Sequence, residues 1–243
     1  MEPTDTTATT QVSPTTVVPA DAPDFWFQLP PGFMEFDLGE EAESRLMRMA
    51  EVADMVFGGA TPEQKFSVVV SSEYILQTMI AGGVEHVSSC LLRMPGDTLS
   101  QGTLFVTVER TDAGPQNQDR QGSAKRTATQ WHSMYPDAEV GLVMLPYGIS
   151  AVCIRDLSLR VPGVLFGLEE PVPTAVRQAQ FSVPLKRGPG SVLFVFMTQD
   201  TEHWGEYLEM LGGIMKSISA DASDGERVPQ PCAEGAGGTE RRV

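Results

Sequence analysis

Short turns join strand-like segments in consecutive pairs, and this is the feature of the sequence that most constrains its fold. The paired segments are 84–93 with 99–110 around Pro95-Gly96-Asp97, 139–145 with 149–157 around Pro146-Tyr147-Gly148, and 175–185 with 192–197 around Gly188-Pro189-Gly190. Neighbouring strands that are joined by a few turn residues pair in the antiparallel sense, whereas parallel neighbours need a long crossover. The sequence therefore predicts a sheet that is mainly antiparallel.

Four segments have the apolar spacing or the start signals of helices. Single stripes are formed by Leu46, Met49, Ala50, Ala53 and Phe57, by Ala124, Ala128, Trp131 and Tyr135, and by Trp204, Leu208, Leu211, Met215 and Ile218. Thr61-Pro62-Glu63-Gln64 is a capping box that starts a helix over 61–82, and Asp200 is placed to cap the last helix. Helices before, between and after the hairpins predict the α+β class, with a mainly antiparallel β-sheet sandwiched by helices.

The segments 139–145 and 149–157 are almost continuously apolar. Strands that are covered on both faces have such runs, whereas strands with one solvated face alternate. We therefore expect these two strands to lie at the centre of the sheet.

Both ends of the chain lack the large apolar side chains that a folded core needs. Residues 1–24 contain seven Thr and four Pro, and residues 221–243 combine Gly and Pro with charges and show no periodicity. Such a composition buries too little surface to offset the entropy of ordering. The sequence predicts disordered tails over 1–24 and 221–243 around a single α+β domain of residues 25–220.

The chain is strongly acidic, with 17 Lys and Arg against 32 Asp and Glu and a net charge of −15. Residues 25–220 hold 14 basic and 23 acidic side chains, so the predicted domain carries −9. This balance argues against nucleic acid and against anionic membranes as partners. It is compatible with recruitment of a basic protein, and solubility alone explains the charge equally well. The sequence has no apolar run of membrane-spanning length and no secretory signal at Met1. We expect a soluble, cytoplasmic protein without membrane insertion.

No pattern in the sequence indicates a catalytic residue, a cofactor or a metal. A nucleophile elbow and phosphate-binding loops are missing, and the three histidines do not have the spacing of a zinc site. His86, Ser88 and Cys90 share one face of a predicted strand, but four residues along a strand span about 13 Å, too far for direct proton transfer between His86 and Cys90. Cys90 and Cys153 lie in apolar runs and are expected to be buried thiols.

Two neighbouring pairs combine an indole with an imidazole: Trp131-His132 and His203-Trp204, each on a predicted helix. One interpretation makes the indoles core anchors and turns the histidines outward, because an indole buries a large apolar surface. The other interpretation places them in a recognition groove between helix and sheet. We take Trp131, His132, His203 and Trp204 as the candidate binding residues.

Two segments resemble PsbP-like domains. The entry, Phe25-Trp26-Phe27-Gln28-Leu29-Pro30-Pro31-Gly32-Phe33, is similar to the strand and Pro-x-Gly-aromatic opening of that family. Residues 192–197, followed by the helix that ends Ile214-Met215-Lys216-Ser217-Ile218, are similar to its last strand and helix. The resemblance covers about residues 25–220 and implies a sandwich that serves as a binding or assembly module, often without enzyme activity and with no shared catalytic residue. Composition and tails are also similar to those of actinobacterial proteins.

Together these features predict a non-enzymatic protein-binding or adaptor module, chaperone-like and cytoplasmic. The alternative is a small-molecule-binding or hydrolase-like protein that uses a cleft between the sheet and the helices. A coherent exposed apolar patch favours the first function, and a deep polar cleft favours the second. The sequence leaves the oligomeric state and the identity of the partner open.

Overall fold

Seven strands of the chain form one antiparallel sheet, and helices lie on both of its faces. The computed structural model describes residues 25–56, 59, 61–93, 99–110, 119–161, 163, 168, 170–186, 190–220 and 239–242. In chain order the elements are β1 (Trp26–Leu29), β2 (Phe33–Phe36), α1 (Ala42–Val56), α2 (Pro62–Ala81), β3 (Val84–Arg93), β4 (Leu99–Arg110), α3 (Arg120–Met134), β5 (Glu139–Leu145), β6 (Gly148–Val161), β7 (Val172–Pro184), β8 (Gly190–Thr198), α4 (Trp204–Lys216) and β9 (Thr239–Arg242). The predicted α+β class with a mainly antiparallel sheet is confirmed.

The three predicted hairpins all form, and the sheet order shows how they combine. The order is β2-β3-β4-β8-β7-β6-β5, so β3–β4, β5–β6 and β7–β8 each pair as neighbours. The hairpins are joined where β4 pairs with β8 and where β6 pairs with β7. Gly148 ends the β5–β6 turn with a φ of 146°, a backbone conformation that glycine adopts without a steric penalty. The other two predicted turns, at 95–97 and 188–189, lie outside the described residues.

The expectation that 139–145 and 149–157 are central strands is wrong for the first of them, because β5 is an edge strand of the sheet. Met144 on β5 is 75% exposed. Its neighbour β6 is covered on both faces, with Cys153 buried on one and Val152 packed against the main core on the other. An apolar run reports how many apolar side chains a strand carries, not which strands pair with it.

Two strands of four residues are absent from the sequence prediction. Strand β2 extends the sheet beyond β3, and β9 pairs with β1 in a separate two-stranded sheet. Neither segment alternates regularly between apolar and polar residues, since β2 reads Phe-Met-Glu-Phe and β9 reads Thr-Glu-Arg-Arg. The predicted disorder of 221–243 is therefore wrong for residues 239–242, while residues 1–24 and 221–238 lie outside the described residues.

The main core lies on one side of the sheet, called here the first face, beneath β1 and α4. Leu104 of β4 and Phe194 of β8 point to this face, since side chains alternate along a strand. The Phe27 ring of β1 meets the Phe194 ring edge to face at a centroid distance of 5.3 Å. From α4, the buried side chains are Tyr207, Leu211, Ile214 and Met215. The predicted stripe of the last helix is thus confirmed at Leu211, Met215 and Ile218 and is wrong at Leu208, whose side chain is 36% exposed.

The opposite side of the sheet, called the second face, carries the other three helices. Helix α3 lies over β5, β6 and β7, where Ala124 of the helix and Ala151 and Cys153 of β6 are fully buried. Helices α1 and α2 pack on each other and reach the sheet beside β2–β4. Between these two helical groups, Phe105 of β4 and Met197 of β8 remain half-buried. The second face is therefore only partly covered within the described residues.

Candidate functional site

The four predicted binding residues lie on opposite sides of the sheet. Trp131 and His132 are on α3 over the second face, whereas His203 and Trp204 begin α4 over the first face. Trp131 is partly buried and His132 is exposed, as the anchor interpretation requires for that pair. Trp204 packs against the main core, and the Arg177 guanidinium lies 5.1 Å from the centre of its ring. The structure does not bring the two pairs together in one groove, and binding by either pair remains a prediction.

A hydrogen-bonded network surrounds the start of α4. The Asp200 carboxylate lies 2.8 Å from His203 Nδ1 and accepts the His203 backbone N–H at 3.2 Å. The Ser100 hydroxyl lies 2.6 Å from the Tyr207 hydroxyl, which connects β4 to α4. Bonds from Ser100 and His203 lower the pKa of the Asp200 carboxyl, and the bond to Asp200 raises the pKa of His203. Asp200 thus fixes the turn that leads into α4. Its predicted role as the cap of that helix is wrong, because the N-cap is His203 and no side chain caps the helix.

Two serines lie near histidines, and neither arrangement is that of a hydrolase. Ser100 is buried and bonds Tyr207 and Asp200, whereas a serine nucleophile must bond the imidazole that takes its proton. Ser88 Oγ lies 3.0 Å from His86 Nε2, but Ser88 is completely buried and His86 packs on the Phe27 ring. Burial lowers the pKa of His86 to about 4, so this imidazole is neutral in the folded protein. Neither pair presents a nucleophile to solvent.

A groove crosses the open part of the second face, called here the cross-sheet groove. One cavity of about 550 Å³ is lined by Ser100, Gln101, Thr103, Phe105, Leu159, Val176, Met197, Thr198, Gln199 and Asp200. An adjoining cavity of about 230 Å³ lies beneath α1 and α2 and is lined by Phe36, Met49, Ser72, Ile75, Leu76, Met79, Val87, Ser89, Gln101, Thr103 and Phe105. Gln101, Thr103 and Phe105 line both cavities, so the two adjoin on β4. Only the smaller cavity lies between the sheet and helices, as the alternative function expects, whereas the larger one is lined by strand residues and by the turn that leads into α4.

Helix α2 leaves an apolar stripe in solvent. The capping box forms as predicted, with the Gln64 backbone N–H donating to Thr61 Oγ1 at 3.3 Å and the Thr61 N–H donating to Gln64 Oε1 at 3.0 Å. Four-residue spacing then places Phe66, Val70 and Tyr74 on one side of the helix. Their side chains are 70%, 43% and 73% exposed. We call these three residues the α2 stripe.

A buried ion pair that the sequence analysis missed holds α1 against α2. Arg45 Nη2 lies 2.7 Å from Glu73 Oε1, Arg45 Nε lies 3.1 Å from Glu73 Oε2, and Gln77 Nε2 donates to Glu73 at 2.8 Å. The bond to Arg45 lowers the pKa of Glu73. A signal was present, because Arg45 shares the spacing of Met49 and Ala53 on α1, so that a charge stands at a core position. The predicted stripe of α1 is therefore wrong at Ala50, which is exposed while Arg45 is buried, and the ion pair fixes the two helices to one another.

The described residues contain no group of three or more His, Cys, Asp or Glu side chains placed to hold a metal ion. None of their helices combines the length and the apolar character that crossing a membrane requires. Cys90 and Cys153 are both buried, which confirms the prediction, and burial raises the pKa of the Cys90 thiol to about 11.

Comparisons of the chain with protein-family models, with curated proteins and with solved structures find no match. The function is therefore inferred from the two surface features described above, the α2 stripe and the cross-sheet groove.

Proposed function

We propose that this chain is a non-enzymatic protein-binding module, an adaptor or chaperone-like protein of the cytoplasm, and that it binds its partner through the α2 stripe. The observation that carries the proposal is the exposure of Phe66, Val70 and Tyr74 along one side of a single helix. A contiguous apolar patch on a surface marks an interaction site far more often than scattered exposed apolar residues do. Covering the exposed part of Phe66 or Tyr74 would contribute at most about 1.5–3 kcal/mol, and covering Val70, which is already more than half buried, would contribute less.

Charge supports a basic partner. Residues 40–81, which contain α1 and α2, hold seven acidic and three basic side chains, a net charge of −4. A second copy of the chain would bring the same negative charge to this surface. Residues 1–24 contain four acidic side chains and no Lys or Arg, so the chain's own N-terminal segment does not complement it either. A basic protein is attracted to this negative surface at distances up to about a Debye length, and it therefore associates faster than a neutral protein does.

The resemblance to PsbP-like domains adds to this proposal. An antiparallel sheet with helices on both faces is compatible with a PsbP-like sandwich, and we include that fold in the proposal. The resemblance implies a binding or assembly module without a shared catalytic residue. This implied lack of a catalytic residue is consistent with the burial of Ser88 and Ser100, the two serines described above.

Comparative affinity purification from the native cell tests the proposal. The bait is the full chain in three forms: unchanged, with Phe66→Ser and Tyr74→Ser together, and with Met144→Ser as a control for loss of an exposed apolar side chain elsewhere. We expect a basic protein to co-purify with the unchanged bait and with Met144→Ser, and to be lost from the double variant. The purified complex should dissociate more readily as salt is raised. Equal recovery by all three baits would contradict the proposal.

The cross-sheet groove favours the small-molecule part of the alternative function. Its larger cavity, about 550 Å³, is within the roughly 300–1,000 Å³ of known ligand pockets. The hydrolase-like part has no comparable support, because Ser100 at the edge of the groove is buried and bonds Tyr207. Small-molecule binding is therefore a second candidate function, on a surface separate from the α2 stripe.

A further inference from the structure

We propose that the cross-sheet groove binds an elongated amphiphile that has an apolar body and a positively charged head. The apolar body lies across the strands, and the head lies at the lip that Asp200 forms at the end of β8. This inference rests on the small-molecule candidate function and is independent of the α2 stripe.

The shape of the groove selects an elongated ligand. Its lining residues run from Phe36 on β2 to Leu159 on β6, across six neighbouring strands. With strands about 4.8 Å apart, five intervals give a length of about 24 Å. A compact ligand would leave most of this length unfilled, whereas a chain-like ligand lies along it.

Apolar side chains supply the surface for the body of the ligand. Beneath α2, the smaller cavity is bounded by Met49, Ile75 and Met79. Phe105 and Met197 continue the apolar floor on β4 and β8, where they are half-buried. Methionine side chains adapt their shape to a ligand, because the thioether is unbranched and polarisable. The floor therefore accommodates a flexible apolar chain.

Polar groups line one long side of the groove, where strands β4 and β8 meet the turn into α4. Thr198, Gln199 and Asp200 form this lip, and Gln199 is exposed. Among the described residues that line the two cavities, Asp200 is the only charged one. An anionic head would meet a carboxylate and no cation, whereas an ammonium head finds an ionic partner. Since His203 shares the Asp200 carboxylate, we expect the attraction to be stronger when His203 is neutral than when it is protonated.

Isothermal titration calorimetry at pH 8 with dodecylamine, dodecanol and dodecanoate tests this inference on the full chain, with each compound below its solubility limit and the two ionised ones also below their micelle concentrations. We expect dodecylamine to bind at least tenfold more tightly than dodecanoate, with dodecanol between them. Failure of dodecylamine to bind would overturn the proposal. Phe66→Ser should leave these affinities unchanged, so a failure here is distinguishable from a failure of the protein-binding function.

A matched pair of variants locates the body of the ligand. Thr103→Trp places an indole on the floor that both cavities share, and we expect it to weaken the binding of dodecylamine at least tenfold. Thr107→Trp makes the same change four residues along the same face of β4, outside both cavities, and should have no such effect. Equal affinities for these two variants would overturn the location.

Gln199→Lys places a positive charge on the lip and should reduce the preference for dodecylamine over dodecanoate by about tenfold. Gln121→Lys makes the same change in net charge on the exposed side of α3 and serves as its control. An equal effect of both lysines would show that the preference comes from the overall negative charge, which would overturn the assignment of the head to the Asp200 lip.

Discussion

The two faces of the sheet hold their helices by different means. On the first face, α4 buries Tyr207, Leu211 and Ile214 in the main core, each about 1% exposed or less. On the second face, α2 buries Val69 and Leu76 but leaves the α2 stripe in solvent. Both helices are rich in apolar residues, so apolar content does not account for the difference.

The way in which apolar side chains are distributed around the helix axis accounts for the difference in burial between α4 and α2. In α4 the apolar side chains are concentrated on one side, so that docking on β1 and the sheet covers most of them. In α2 they are spread around the axis, so that contact with the sheet and with α1 covers one part and exposes another. The α1–α2 pair is fixed instead by the Arg45–Glu73 ion pair. A helix that is apolar on two sides has one side available for a second partner.

The largest expected effect is on the first face. Leu211→Ala removes a fully buried side chain from the core and should lower the free energy of unfolding by about 2–5 kcal/mol, through lost transfer energy and the cavity that remains. Glu209→Ala, on the exposed side of the same helix, should change it by less than about 0.5 kcal/mol. Urea denaturation of both variants measures the difference. Similar values for the two would show that α4 does not belong to the cooperative core.

The second effect is the pH dependence of the same core. Burial lowers the pKa of His86 to about 4 from an ordinary 6.5. Between these two pH values the unfolded chain binds a proton on His86, whereas the folded protein does not. The contribution of His86 to the free energy of unfolding is fully present above pH 6.5. It is lost as the pH falls towards 4, by about 3 kcal/mol in total. His86→Gln should lack this part of the pH dependence. Parallel curves of unfolding free energy against pH for the two proteins would contradict the assignment.

On the second face, we expect the Arg45–Glu73 ion pair to hold α2 against α1. Glu73→Gln leaves the buried Arg45 without its anionic partner and should cost about 2 kcal/mol, the typical size of a hydrogen bond to a charged group. Asp54→Asn makes the matched change in the more exposed pair with Lys65 and should cost between 0 and about 1 kcal/mol. Hydrogen exchange of the α2 amides, followed for both variants, reports the attachment directly. Equal exchange rates would mean that the ion pair does not hold the helix.

The smallest effect is expected at the α2 stripe itself. Phe66→Ser and Tyr74→Ser should each change the free energy of unfolding by less than about 0.5 kcal/mol, because both side chains are mostly exposed and serine has a similar helix propensity. Thermal melts check this. A loss of more than about 1 kcal/mol in the free energy of unfolding would show that another part of the chain covers the α2 stripe. The α2 helix would then be buried on both sides, and it would no longer differ from α4 in exposure.

Local signals in the sequence were sufficient for the elements and their neighbours. The capping box at Thr61, the turn at Gly148 and the strand-like segment 99–110 each depend on signals within a few residues, and the corresponding helix, hairpin and strand all form. The buried positions Leu211 and Met215 of α4 were likewise predicted, since helical periodicity is a property of the chain itself. Of the candidate site, the sequence analysis named Asp200 only as a helix cap, and it did not identify the α2 stripe.

The sequence by itself determined the α+β class, the antiparallel hairpins and the acidic character of the surface, because these follow from spacing and composition along the chain. The tertiary structure decided the order of the strands, which made β5 an edge, and the side of the sheet that each helix covers. It therefore separated Trp131 from Trp204, joined Arg45 to Glu73 and left Phe66 exposed. These outcomes depend on contacts between residues far apart in the chain, and periodicity along a segment does not specify which distant surface will cover it.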